Sequence, residues 1–541
     1  MVEILKRTRK PFKPLAFPVI AFSILLGMSS CESNYEIPEN IDAESFIQLE
    51  ESGFTLKGER FFPVMINYVA DFRQIGDTSV LGVHYLYEKP EGYEYFSIDS
   101  VKLQRKEHLN LIKEMGFNTI RLCLDRVWQT GDSIAYPAAG DYLYLNEDND
   151  KIFSAIDDFV ADATELNLKL MILIPPPVQN EVVKEYTISM LKHFNGNSTV
   201  FSYDFNNEPL YDREHSAIPK AEVFNIVSEW KEWMETYAPL QFITIGYSEP
   251  IEVFSWDPSI LPVDFLSFHT YNPLRVPNEI YWYANYSGKP WMIGETALLA
   301  DGDEIPYEWQ ADYMKDCFDR TVACGGIGFG WWGFQEVPLV DYAEEGTGLM
   351  TSDGTVYTGD SLLPITAKFK PAVDKIKTLD ADEVDANCER KANYFNMLGY
   401  SNYVLSGRLE DESGEPIEGG LIRGWNEYYS IGQNTFSDEE GNFKLYSNDR
   451  VFHVMISAPG KEKKEYHEKI EYSALEEGAL REEDLPNRDL EYQKIDYRNY
   501  LRTDSSTGKP IFFDYNPGIF TNAVYGQSMG TIILRPWNDI E

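Results

Sequence analysis

Short runs of aliphatic, β-branched and aromatic residues recur along the chain. Between them lie longer stretches in which apolar positions return every three or four residues. The runs fall at 61–68 (FFPVMINY), 119–124 (TIRLCL), 169–174 (KLMILI), 200–205 (VFSYDF), 242–247 (FITIGY), 265–271 (FLSFHTY), 291–294 (WMIG) and 326–332 (GIGFGWW). Several are continuously apolar instead of alternating, the pattern of parallel strands covered on both faces. Helices are predicted between them over 101–115, 151–166, 180–194, 220–236 and 307–323, the first capped by Asp99 or Ser100 and stopped at Gly116. Strand and helix alternating eight times in about 300 residues predicts a (β/α)8 barrel over residues 50–380. The rival arrangement, a doubly wound sheet, wants a Gly-rich phosphate turn after its first strand, and none is there. Residues 69–99 read as a long loop on the catalytic face, carrying Tyr85, Tyr87, Tyr93, Tyr95 and Phe96. It is either a substrate platform or a self-packed excursion.

After about residue 380 the texture changes to short alternating strands with turn residues at Gly414, Pro416, Gly419, Asp438 and Gly441. An all-β sandwich is expected over 397–541, its tail from 468 completing or extending the sheets. Trp425, Tyr428 and Tyr429 could form a sugar-binding strip, though ordinary packing is the plainer reading.

At the other end, Lys6, Arg7, Arg9, Lys10 and Lys13 precede the apolar stretch 14–27 and the small residues Ser29 and Ser30. The run Leu26-Gly27-Met28-Ser29-Ser30-Cys31 resembles a bacterial lipobox. Residues 1–30 then form a signal peptide, Cys31 carries lipid, and 31–49 are a tether. The resemblance implies an exported protein, anchored at the cell envelope, in the outer membrane.

Composition changes this picture only in part. The 541 residues are 43% hydrophobic, enough for full cores. The formal net charge of −41 disfavours nucleic acid as a partner, and strongly anionic polysaccharide too unless a local basic patch exists. Five cysteines show no metal-ligand spacing. A Cys317–Cys324 bridge is left open, and Cys123 reads as a core residue.

Two glutamates end apolar runs: Glu208 in Phe205-Asn206-Asn207-Glu208-Pro209 and Glu295 in Trp291-Met292-Ile293-Gly294-Glu295. Desolvating a carboxylate at a buried strand end is costly and calls for a reason. Each alone could be a rim salt bridge. Together, on the fourth and seventh strands, they fit the two carboxyl groups that glycosidic hydrolysis needs. Here the chain resembles the clan A glycoside hydrolases, most closely family 5, over residues 50–380. The resemblance implies a retaining enzyme acting on a polysaccharide or oligosaccharide, a β-glucan or β-mannan, with no metal or cofactor. It assigns Glu208 as acid/base and Glu295 as nucleophile, with Asn207 at the sugar 2-hydroxyl. Arg121 would brace the nucleophile, His269 and Tyr271 form the sixth-strand His-x-Tyr with Tyr271 orienting Glu295, and Trp332 floor the cleavage subsite in preference to Trp331. Gly348-Leu349-Met350 with Asp353-Gly354 resembles the hairpin that follows the eighth strand, with a helix around 364–378 closing the barrel. One departure is the third strand, which ends in Ile174-Pro175-Pro176-Pro177 where many members have a His. Asp125, Asp204 and Glu249 also fall near strand ends, where a neighbouring negative charge, or burial, would help Glu208 keep its proton. The C-terminal segment resembles a carboxypeptidase regulatory-like domain, which implies a spacer or docking module. The alternative function is a surface glycan-binding lipoprotein whose barrel has lost activity.

Overall fold

The computed structural model describes residues 42–538 apart from 76, 84–96, 131–132, 136–148, 337–345, 352–366, 386, 392–402, 430–431, 448–449, 468–469, 475–500 and 516–524. The signal segment, Cys31, the loop aromatics from Tyr85 to Phe96 and the side chain of Asp125 lie outside the described residues.

Eight parallel strands close on themselves: β1 (Val64–Ile75), β2 (Thr119–Thr130), β3 (Lys169–Leu173), β4 (Val200–Asn207), β5 (Phe242–Tyr247), β6 (Leu266–His269), β7 (Trp291–Glu295) and β8 (Phe329–Trp331). The first pairs with both its sequence neighbour and the last, Met65 opposite Thr119 and Val64 opposite Phe329, which makes the sheet a barrel. Around it run α1 (Ile98–Met115), α2 (Asn149–Glu165), α3 (Glu181–Phe194), α4 (Lys220–Tyr237), α5 (Val276–Tyr286), α6 (Tyr307–Ala323) and α7 (Ala372–Ile376). The first is capped by Ser97, not Asp99 or Ser100: its side chain accepts from the Ser100 N–H, and left-handed Gly116 ends the helix. The helix expected over 364–378 is shorter, Ala372–Ile376: residues 367–371 are not helical, and 364–366 lie outside the described residues. Among the described residues no helix is long and apolar enough to cross a membrane.

Two expectations are corrected. The stretch 69–99 does not open as a loop: β1 runs on to Ile75 and turns back through Thr78–Val83, pairing antiparallel from Ala70–Val83 to Ile75–Thr78. The expected tether also ends early. Residues 43–45 form a 3-10 turn, and Ile47–Glu50, Gly53–Leu56 and Glu59–Arg60 form an antiparallel sheet. Ile47 and Phe54 of that sheet pack on Met65, Met171, Phe201, Phe265, Met292 and Ile327, at or near the starts of barrel strands. This closes the N-terminal mouth and leaves chemistry to the opposite one.

The C-terminal part is a sandwich of two four-stranded sheets. One orders β12 (Asn442–Ser447), β9 (Tyr403–Glu410), Tyr525–Ile533 and Ser473–Ala474. The other orders β11 (Gly432–Phe436), β10 (Leu421–Trp425), β13 (His453–Ser457) and Lys464–Tyr466. The tail completes the first sheet with Tyr525–Ile533, parallel to β9. Before that it leaves the sandwich: the hairpin of Leu501–Thr503 and Pro510–Tyr515 sets Phe512 and Phe513 against Tyr313 of α6. The disulfide joins Cys324 to Cys388, while Cys317 is a buried free thiol, so the Cys317–Cys324 pairing is not formed.

Candidate active site

Both glutamates emerge at the C-terminal mouth because each follows a strand whose residues are buried. From Val200 to Asn206 the whole of β4 is buried, as is all of β7. Glu208 lies one residue beyond β4, held by its N–H donating to the Gly246 carbonyl at 2.7 Å, with φ at 49°. Glu295 closes β7, opposite His269 in the register, and its carbonyl accepts from the Thr270 N–H at 2.9 Å.

Arg121 organises the floor. Fully buried on β2, it donates to Asp204 Oδ2 at 2.9 Å, to Asn67 Oδ1 at 3.0 Å, to Asn207 Oδ1 at 2.7 Å and to Glu295 Oε1. Burial works against its charge, but Asp204 and Glu295 outweigh that and hold its pKa above the usual guanidinium value. Asn67 is held in turn by donating to the carbonyls of Gly294 and Trp331. Tyr271 donates its hydroxyl to Glu295 Oε2, so both oxygens of Glu295 are held. His269 sits between the two acids, its Nδ1 at 2.9 Å from Glu208 Oε1 and 3.5 Å from Glu295 Oε1. The ring is fully buried, and burial pushes its pKa down to about 4, so it is neutral at pH 7. Space for it comes from glycines on either side. A Cβ on Gly246 would stand 2.7 Å from its Cε1, and one on Gly294 3.1 Å from its Nε2.

Glu208 is the acid with the displaced affinity. Burial raises its pKa to about 7; Arg121 opposes this, and Glu249 and Asp204 add to it. Its side chain keeps 22% exposure, facing the mouth. Behind it, buried Glu252 accepts from the N–H groups of Leu210 and Ser248 at 3.0 and 3.3 Å and fixes the turn after Glu208. Glu249 is clamped by Arg275 and touched by Asn434 of the sandwich at 3.3 Å. Trp331 is buried with its indole N–H on the Thr347 carbonyl at 3.1 Å, whereas Trp332 stays half-buried at the end of β8.

The structure therefore brings Arg121, Asn207, Glu208, His269, Tyr271 and Glu295 to one mouth of the barrel and leaves Trp332 the less buried of the tryptophan pair. Asn67 is the member that sequence reading missed. Its signal was a lone amide inside the apolar run 61–68. Glu208, His269 and Glu295 place one ligand atom each within 4.8 Å of one another, a spacing a cation could use. Both oxygens of Glu295, however, are already taken by Arg121 and Tyr271.

No family model matches the chain, and no curated protein matches it. Among solved structures it is similar to an exo-β-1,4-mannosidase from Opitutaceae bacterium strain TAV5, at 17% identity and TM-score 0.44, over 61% of each chain. It is also similar to β-glucuronidase 2 of Bacteroides uniformis, at 11% identity and TM-score 0.41, over 78% of this chain and 48% of that one. A third is an endo-1,4-β-mannanase from Rhizomucor miehei, at 14% identity and TM-score 0.40, over 62% of this chain and 100% of that one. The chain thus spans less than two thirds of the first two proteins' own lengths.

Proposed function

We propose that this protein is a retaining β-glycoside hydrolase with Glu208 as acid/base and Glu295 as nucleophile. The observation that carries the reading is the separation of the acids: carboxylate oxygens of Glu208 and Glu295 lie within 4.8 Å. Retaining enzymes hold the pair about 5–5.5 Å apart, whereas inverting ones leave about 6.5–9.5 Å for a water. In the first step a Glu295 oxygen bonds to the anomeric carbon as the glycosidic C–O bond breaks, and the Glu208 proton goes to the leaving oxygen. In the second, water attacks that carbon, its proton goes to Glu208, and the bond to Glu295 breaks. The environments divide the labour. Glu208, lifted by burial to about 7, holds a proton to give at neutral pH. Glu295, gripped by Arg121 and Tyr271, is oriented for attack. Asn207, itself held by Arg121, would meet the sugar 2-hydroxyl.

The expected substrates are β-linked glucan or mannan. The lipobox-like stretch around Cys31 supports export and lipid anchoring, and the Cys324–Cys388 bridge suits an oxidising compartment. Intact-mass analysis tests both ideas. Chain purified from membranes should begin at Cys31 with added acyl mass. Incubation with 2-deoxy-2-fluoro-β-glucosides and mannosides should add one sugar, mapped to Glu295. A chain retaining residues 1–30 sinks the anchor. A sugar label on any residue but Glu295, or inverted product from a cleaved glycan, sinks the mechanism.

A further inference from the structure

The sandwich does not stand apart from the barrel. Along β10 the side chains alternate: Ile422 enters the sandwich core, while Leu421 joins the barrel core together with Phe436 of β11. The same barrel-facing row continues through Arg423 and Trp425, with Asn434 opposite Arg423 and Gly432 opposite Trp425. Halfway along this row Asn434 touches Glu249, a charge that Glu208 feels. The row therefore starts buried in the barrel wall and passes Glu249, beside Glu208.

Arg423 is the residue in this row that structure alone leaves unexplained. Its Nε is shut off from solvent and has no hydrogen-bond partner. Its guanidinium carbon lies 4.9 Å from the Trp425 ring centre. The nearby carboxylate is held by others: Arg275 donates to both oxygens of Glu249 and Asn434 to the second, and no hydrogen bond among the described residues joins it to Arg423. Burial lowers the pKa of Arg423 in spite of Glu249, so its charge is under-compensated. Two guanidinium groups, Arg275 and Arg423, thus flank Glu249, and burial raises the pKa of the neighbouring Glu279. In a chain of net charge −41 the pair of guanidinium groups is a local positive spot of the kind an anionic glycan needs. A half-buried planar guanidinium that no hydrogen bond holds among the described residues, with an aromatic beside it, fits a sugar ring bearing an anion.

We propose that the sandwich completes the substrate cleft: Arg423, flanked by Trp425, forms a subsite that binds a carboxylate or sulfate carried by the sugar on the leaving side of the scissile bond. Its placement on the leaving side rests on Glu208 being the acid/base; the subsite itself does not.

Binding of monosaccharides to the full chain tests it without hydrolysis. D-Glucuronate, D-glucose 6-sulfate and D-glucose are titrated by calorimetry against the wild type, Arg423→Gln and Arg423→Lys. A charged sugar should bind about tenfold or more tighter than glucose, a preference lost in Arg423→Gln and partly kept in Arg423→Lys. The better of the two charged sugars identifies the anion. Inorganic sulfate should compete with the charged sugar on the wild type, a check that stands even where Arg423→Gln does not fold. Equal binding of charged and neutral sugars, a preference that survives Arg423→Gln, or no competition by sulfate overturns the proposal. A failed covalent trap at Glu295 with the charge preference intact would instead remove the catalytic reading and leave the subsite.

Discussion

Glu208 occupies a left-handed backbone conformation, φ 49°, that costs a non-glycine residue of order 1 kcal/mol or more, and it also pays for burial. The second cost is removable, which gives a test. The folded-state pKa is raised from 4.5 to about 7, so the folded protein holds a proton that the unfolded chain gives up. Stability from this site is complete below about pH 4.5, declines as pH rises to about 7, and stays low above it. Glu208→Gln cannot ionise. Its melting temperature should match wild type at pH 4 and exceed it at pH 8, by up to about 3 kcal/mol of stability. Equal melting curves at pH 8 would mean that Glu208 is not destabilised by its surroundings. The two glutamates, Arg121, His269 and Tyr271 were legible because each ends or interrupts an apolar run. How Arg121 divides its donors among Asp204, Asn67, Asn207 and Glu295 was not, because those partners lie 54 to 174 residues away and meet only when the barrel closes.

The strands were the most readable elements, since burial on both faces writes them as unbroken apolar runs. Helix α5 went unread. Its sequence, VPNEIYWYANY, is buried around most of its circumference because the sandwich covers the side that solvent would meet, with the Trp282 indole N–H donating to the Gly419 carbonyl at 2.8 Å. The return strand Thr78–Val83 was lost in a segment read as loop, because a hairpin grown from a barrel strand interrupts the expected alternation of strand and helix. Strand glycines carry information that pattern reading overlooks. Gly246 has an ordinary backbone but no room: a Cβ there would also press on Asp204 Oδ2 at 3.0 Å. Gly246→Ala should therefore push His269 off Glu208, destabilise the fold by about 1–3 kcal/mol and lower kcat more than it raises KM. Calorimetry and steady-state kinetics check this, and a variant with wild-type kcat would show that His269 tolerates displacement.

At the scale of the molecule the two halves are joined by polar as well as apolar contacts. Lys220, almost wholly buried on α4, donates to Asp257 at 3.0 Å, to the Ser457 hydroxyl at 2.8 Å and to the Lys461 carbonyl at 2.6 Å. The Gly460 N–H donates to the same Asp257 oxygen at 2.9 Å. Removing the cation leaves a fully buried carboxylate unpaired, so Lys220→Ala should cost about 3–5 kcal/mol. Barrel and sandwich should melt together in the wild type and apart in the variant. Two resolved calorimetric transitions in the wild type would show that the contacts do not couple them.

The path of the last seventy residues bears on what can be exchanged between proteins of this design. The chain leaves the sandwich to lay Phe512 and Phe513 on α6, then returns to place Tyr525–Ile533 between two strands of the first sheet. Barrel and sandwich are sewn by a stitch that passes twice through the seam. A gene fragment ending near residue 380 would yield a barrel with Trp282 and the Leu421 seat laid bare. A sandwich moved to another enzyme would carry a loose hairpin made for a helix left behind. Such a pair should transfer only as a whole, and a change on one side of the seam calls for a matching change on the other.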